Sequence, residues 1–383
     1  MLRRLCLIVS LLSAAALYSA DSARAKPVFR GFIKVLNQAS FVKNLRETEY
    51  SAMVHGRINF FWEANKHLRF RVDSRQRLFL GNLPKQRGFR DLVGVDDGLI
   101  SLSHTESSSS GWLWHSIIDR ALVSYRTKSL ELTLGRQRIN WGINTVWNPN
   151  DVFNTYNFFD FDYEERPGCD GFRLVTNLPD GALELAGSAG RNFSNPRLAM
   201  LWSTRLRTYD LQFLAGKFDS FYLVGAGWAG NLRKAGFKGE ANLYRNGQPA
   251  ETADFIFLAS ITADYTFGKG WYGMASYLYN SRGSNNLSGL GMITYQKLSP
   301  MNLMPLKQQC AFQAAKQFSP VLQASVSVIY GLKDRLSIFV PSLQYWAAQN
   351  WECTLLGQNL FARAGATYRS LGQNVFLRVR YSF

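Results

Sequence analysis

Arginine recurs at alternate positions through one short stretch of the chain: Arg69, Arg71, Arg75 and Arg77, with Asp73 between them. In an extended strand, residues two apart share a face and stand about 6.6 Å from one another. That is shorter than the Debye length of about 8 Å at physiological salt, so the fields of successive guanidinium groups overlap. A row of this kind attracts anions and repels cations. The intervening positions Leu68, Phe70, Val72, Leu78 and Leu80 are apolar, interrupted by Ser74 and Gln76. The preceding segment divides in the same way, with Val54, Ile58, Phe60 and Trp62 against His55, Arg57 and Glu63. Arg197, Arg205 and Arg207 oppose Leu198, Met200 and Trp202, and Arg378 and Arg380 oppose Val379 and Tyr381. Each stretch reads as a strand with one face for hydrocarbon and one for water.

Other chemistry has little support. The four histidines are His55, His67, His104 and His115, and no G-x-S-x-G, H-E-x-x-H or C-x-x-C motif occurs. His115 and Asp119 would share a strand face, but such a pair is more often structural than catalytic. Cys169, Cys310 and Cys353 are far apart and lack metal-ligand spacing. Asp160-x-Asp162-x-Glu164 offers oxygen ligands for Ca²⁺ but lacks the glycine and terminal glutamate of an EF-hand loop. We therefore expect no catalytic site, cofactor or metal. The arginines alternate with apolar residues rather than forming one exposed basic surface, which argues against nucleic acid as a partner.

The elements that position these residues follow from composition and periodicity. The 383 residues carry 44 Lys+Arg and 27 Asp+Glu, a net charge of +17. Apolar residues are 46%, aromatics 14% and charged residues 19%, with mean hydropathy −0.15. No uncharged apolar run is long enough for a membrane helix, whereas a membrane β-barrel keeps mean hydropathy low through alternation and is rich in aromatics. Arg3 and Arg4, the apolar stretch Leu5–Leu17 and Ala23-Arg24-Ala25 read as a signal peptide over 1–25, leaving 26–383 as the barrel. Strand-length alternation recurs at 28–36, 53–64, 68–80, 116–127, 130–139, 169–177, 181–190, 197–207 and 209–218. It continues at 221–231, 234–245, 254–267, 270–281, 306–317, 320–331, 335–347, 350–361 and 373–383. The expected fold is all-β: a transmembrane antiparallel β-barrel of about eighteen strands, with sixteen as the alternative. Segment 289–299 reads either as an extra strand or as part of a long loop. Short links alternate with longer ones at 37–52, 81–115, 140–168, 246–253, 282–305 and 362–372, which places both termini on the periplasmic side. The final strand ends on Phe383, which resembles the C-terminal signature of bacterial outer-membrane barrels.

One link stands out. Gly135-Arg136-Gln137-Arg138-Ile139-Asn140-Trp141-Gly142 is followed by Val146-Trp147-Asn148-Pro149-Asn150-Asp151. Trp141, Trp147, Phe153, Tyr156, Phe158, Phe159, Phe161 and Tyr163 are too many large apolar groups for a solvated loop. Asp151, Asp160, Asp162, Glu164 and Glu165 accompany them. The loop either folds into the lumen, bringing carboxylates toward the arginines, or caps the rim. This segment resembles the G-R-Q-x-x-x-W-G … N-P-x-D stretch of porin-like outer-membrane barrel proteins, including families related to alginate-export porins. The resemblance implies passive passage of a polar or anionic solute. The expected function is therefore an outer-membrane diffusion channel, lined by Arg57, Arg69, Arg71, Asp73, Arg75, Arg77, Arg205, Arg378 and Arg380. Its partners would be outer-membrane lipid, small polar or anionic solutes and the barrel-assembly machinery. A specific pore for acidic polysaccharide and a closed structural or enzymatic barrel are the alternatives.

Overall fold

A computed structural model describes residues 26–41, 48–108, 111–154, 165, 168–247, 255–283, 299–333, 336–364 and 367–383. The leader segment 1–25 lies outside the described residues, as does 289–298. The strands are β1 (Val28–Phe41), β2 (Glu49–Glu63), β3 (Leu68–Gly81), β4 (Ser103–Ser108), β5 (Trp112–Arg126), β6 (Leu130–Gln137) and β7 (Cys169–Leu178). Then come β8 (Gly181–Ser188), β9 (Arg197–Leu206), β10 (Tyr209–Phe218), β11 (Phe221–Leu232), β12 (Ala235–Asn246) and β13 (Phe255–Thr266). The ring is completed by β14 (Trp271–Asn280), β15 (Gln308–Ser319), β16 (Leu322–Gly331), β17 (Ser337–Ala348), β18 (Trp351–Ala364) and β19 (Thr367–Ser382).

All strands but β4 pair antiparallel with their neighbours around the ring, and β19 pairs back onto β1, so the sheet is a closed eighteen-strand barrel. β4 is a partial strand. It pairs with Trp112–Ile117 of β5, above the point where β6, paired with Ala121–Arg126, leaves the wall. The stretch 81–115 is thus more than the plain loop its sequence suggests. It also holds a short helix, α1 (Phe89–Val93).

Alternation decides which face is which. On β12, Glu240, Asn242 and Tyr244 are buried while Leu243 is exposed between them. Ile33, Ile58, Met200, Phe213, Val224 and Phe257 are likewise exposed on their strands. An apolar surface this extensive belongs in hydrocarbon, and the polar face then lines the lumen.

The strict two-residue period fails in β5, as it also does near Gln317–Ser319, Trp346–Ala348 and Leu360–Phe361. Asp73 pairs with Arg120 but Ser74 with Ile118, so Asp119 is an extra residue in β5. Both Asp119 and Arg120 are buried. A bulge of this kind re-aims side chains on one strand. Its trace in the sequence is a parity switch, from Trp114 and Ile118 to Ala121, Val123 and Tyr125 on the apolar face.

The barrel closes through its last residue. Phe383 and Gly31 exchange two backbone hydrogen bonds of 2.8 and 2.9 Å. Gly31 is required by close approach, since a Cβ there would meet the Arg57 carbonyl oxygen at 2.2 Å and the Phe383 ring at 2.8 Å. Deleting Phe383 removes both bonds, each worth about 0.5–1.5 kcal/mol net, and the ring packing with them. The deletion should lower the yield of heat-modifiable barrel in the membrane fraction. An unchanged yield would show that the seam closes without it.

Candidate functional site

The chain leaves β6 at Gln137 and crosses the inner face of the barrel as a strap. Gly135 makes the departure possible: its φ is +110°, and a Cβ would lie 2.2 Å from the Ala121 carbonyl oxygen. Ile139, Trp141, Val146, Trp147, Val152 and Phe153 are buried in one cluster with Leu201, Leu214, Tyr244 and Leu258 from the wall. Trp141 and Phe153 meet edge to face at 5.0 Å.

Polar groups of the wall fix the strap's backbone. The Glu240 carboxylate accepts from the backbone N–H groups of Ile143 (2.6 Å), Asn144 (2.7 Å) and Asn150 (2.8 Å). Asn242 donates to the Pro149 carbonyl at 2.6 Å, Gln212 to that of Trp141 at 3.0 Å, and Ser260 to that of Trp147 at 2.9 Å. Arg197 holds the Phe153 carbonyl at 2.6 Å, and the Trp141 indole donates to Glu184 at 2.9 Å. These partners come from β8, β9, β10, β12 and β13, so residues 139–154 run inside the lumen rather than over the rim.

Of the acidic loop residues, Asp151 is buried within the strap and Glu165 reaches Arg120 at 3.5 Å. Asp160, Asp162 and Glu164 lie outside the described residues, and with them the oxygen-ligand spacing noted above.

The opposite wall carries the basic residues. Arg57 joins Asp73 at 2.9 Å and also Asp119. Arg71 joins Asp73 at 2.7 Å and Arg75 joins Asp119 at 3.5 Å. Arg69 pairs with Glu63 at 2.8 Å, where both are well exposed, and Arg378 with Glu352 at 2.6 Å. Arg205 stands apart from the others, paired with Asp210 at 2.9 Å beside a short turn.

A different set forms a continuous row. Arg380 of β19 is register-paired with Lys34 of β1, Lys34 with His55 of β2, His55 with Arg77 of β3, and Arg77 with His115 of β5. Adjacent strands are about 4.8 Å apart. Barrel strands tilt, so a row perpendicular to them climbs the wall: from beside the chain terminus at Arg380 to the loop end of β5 at His115. Aromatic faces support it, with Arg380 4.5 Å and Lys34 5.2 Å from the Phe32 ring, and Arg77 5.4 Å from Phe79. His115 Nδ1 lies 3.1 Å from Arg77, and Asp119 is engaged by Arg57 and Arg75, so the histidine and carboxylate do not form a catalytic pair.

Above the row the lumen wall turns apolar. Leu36, Met53, Phe79, Leu113 and Phe376 form a second cluster, covered by Phe89 of α1. Phe89 meets Phe79 at 5.2 Å. The stretch beyond α1 is tied to the wall through Arg136, which holds Asp170 at 2.6 Å, Asp96 at 3.1 Å and the Ile100 carbonyl at 2.7 Å. Gln137 donates to the carbonyls of Thr133 and Gly171. The Gly135-Arg136-Gln137 run is therefore a fastening point for two loops.

Sequence reasoning missed Lys34, Arg120 and Glu240, and set Asp119 beside His115 rather than between Arg57 and Arg75. Lys34 left a signal, as a single cation inside Phe32-Ile33-Lys34-Val35-Leu36. Glu240 left almost none, because its role depends on a strap distant in sequence.

The closed eighteen-strand antiparallel barrel is a fold shared with outer-membrane porins. Solved structures resemble the chain over nearly its whole length. Pseudomonas aeruginosa OccK11 (OpdR) superposes with a TM-score of 0.58 at 11% identity, over 93% of this chain and 96% of that one. Acinetobacter baumannii OccAB4 gives 0.59 at 8% identity, over 94% and 99%. The Pseudomonas aeruginosa outer membrane protein OpdK gives 0.56 at 11%, over 93% and 99%. No protein-family model matches the chain, and no curated sequence does. These likenesses support the porin-like barrel but not the finer resemblance to alginate-export porins.

Glu240 offers a direct test of the strap. Changing Glu240→Ala orphans three backbone donors, each costing about 1–3 kcal/mol if it stays buried. The strap should loosen. Single-channel conductance should rise or become noisy and the thermal unfolding temperature should fall, whereas wild-type conductance would show that the strap does not narrow the path.

Proposed function

We propose that the protein is a bacterial outer-membrane diffusion channel for small polar solutes, with anions favoured. The observation that carries the reading is the register-aligned row Arg380, Lys34, His55, Arg77 and His115, set nearly opposite the strap in a closed barrel. The strap covers the inner face of β8–β13, so a solute passes on the side where the row lies. The row's cations Arg380 and Lys34 stand one strand apart and Lys34 and Arg77 two, about 5 and 10 Å, comparable to a Debye length, so an anion leaving one enters the field of the next.

The arginines of β3 divide between two tasks. Arg71 and Arg75, with Arg57, are bound to Asp73 and Asp119 and brace the wall. They still leave an excess of positive charge, since three guanidinium groups share two carboxylates. Arg69, Arg205 and Arg378 each have one carboxylate partner and contribute less field. The channel reading also makes residues 1–25 an export signal, outer-membrane lipid the barrel's surroundings and the barrel-assembly machinery its route of insertion.

Replacing Arg77→Glu and Arg380→Glu together alters the row by four charge units and leaves the Asp73–Asp119 braces intact. In a planar bilayer with a KCl gradient, the reversal potential should change sign from anion toward cation preference. Replacing Arg205→Gln, at the exposed turn, should leave it unchanged. A wild-type channel that already prefers cations would defeat the proposal.

A further inference from the structure

Charges on the outer face of a membrane barrel are costly at mid-depth and tolerated only near the interfaces. Two such cations stand together at the loop end of β10 and β12. Lys217 is register-paired with Tyr222 of β11, and Tyr222 with Arg245. All three are exposed and share parity with the apolar, hydrocarbon-facing positions of their strands. The Lys217 ammonium lies 5.6 Å from the centre of the Tyr222 ring. Two strand spacings set the cations about 10 Å apart. Among the described residues neither makes an ion pair, and Asp219, in the turn after Lys217, makes none either.

The next outward row toward mid-membrane is Met200, Ala215, Val224, Leu243 and Phe257, every one apolar. The sector therefore offers two cations and a phenol directly above a surface for acyl chains. The short-turn end differs. Its outward Lys316 donates to the Lys269 carbonyl and lies 5.2 Å from the Trp271 ring.

We propose that Lys217, Tyr222 and Arg245 hold the phosphate of an anionic glycolipid in the external leaflet, with its acyl chains on the row beneath. Lysine and arginine make charge-assisted hydrogen bonds to phosphate, and the phenol adds a donor between them. The proposal rests on the outer-membrane placement above but not on ion conduction.

The test uses the folded protein in detergent with three probes: diphosphorylated lipid A, its dephosphorylated form and inorganic phosphate. Retention is followed by native mass spectrometry and binding by the shift in thermal unfolding. Wild-type protein should bind the phosphorylated lipid about tenfold more tightly than the dephosphorylated one, and free phosphate should not compete at equal concentration. The double variant Lys217→Gln with Arg245→Gln should lose that preference while keeping wild-type ion selectivity. Equal affinity for both lipids in the wild type, or a preference retained in the variant, overturns the proposal. Should the variant fail to fold, the wild-type comparison decides alone. A selectivity measurement on the same preparations shows separately whether the channel reading holds.

Discussion

A barrel in hydrocarbon must turn nearly all its charge inward, and each inward charge must then find a partner or water. Most of the structure follows from that constraint. β3 has five charged positions on one face, and unbraced they would repel one another. The Asp119 bulge supplies a second carboxylate beside Asp73, so that Arg57 spans both while Arg71 and Arg75 take one each. Removing one partner from such a network leaves an uncompensated buried charge, a far larger penalty than the network's net contribution. The bulge is thus the local solution to an electrostatic problem set by the strand pattern.

The strap answers the same constraint for the other half of the lumen. β8–β14 carry large apolar side chains on the inner face, including Leu201, Leu214, Leu258 and Leu278. Left bare, they would line a water-filled pore with hydrocarbon. Residues 139–154 bring their own aromatics to cover them, but an irregular backbone in a packed interior needs acceptors and donors. Glu240, Asn242, Ser260, Gln212 and Arg197 provide these at inward positions of successive strands. One inner surface therefore mixes leucines with single polar residues, each matched to the strap backbone, Glu240 at three points.

Much of this was legible in the sequence because alternation reports directly on which face is wet. The strand segments, closure at Phe383 and an aromatic-rich loop all follow from local patterns. Lys34, Arg77 and Arg380 are each visible as inward cations, but their alignment is a matter of register between strands, one pair of which joins the two ends of the chain. The place of Asp119 among the arginines was hidden by the assumption of an unbroken period. Glu240 was hidden because the three amides it binds lie 90 to 97 residues earlier in the chain. Arg136 looked like part of a family motif, and its chemistry became readable only once Asp96 and Asp170 were placed around it.

The two inner loops act on the lumen in different ways, and together they account for where the basic row lies. The strap narrows the barrel from one side and makes the path eccentric, pressed toward β19, β1, β2, β3 and β5. On that side α1 and the cluster around Phe79 occupy the wall beyond the row. In the proposed channel a solute would meet this apolar collar before the cations, and would shed part of its hydration as it reached them. Charge acts most strongly where water is scarce. Placing Arg77 against Phe79, at the boundary between collar and row, puts a cation where desolvation begins. The same boundary explains why Arg77, rather than the braced arginines below it, is the first charge an entering anion would meet.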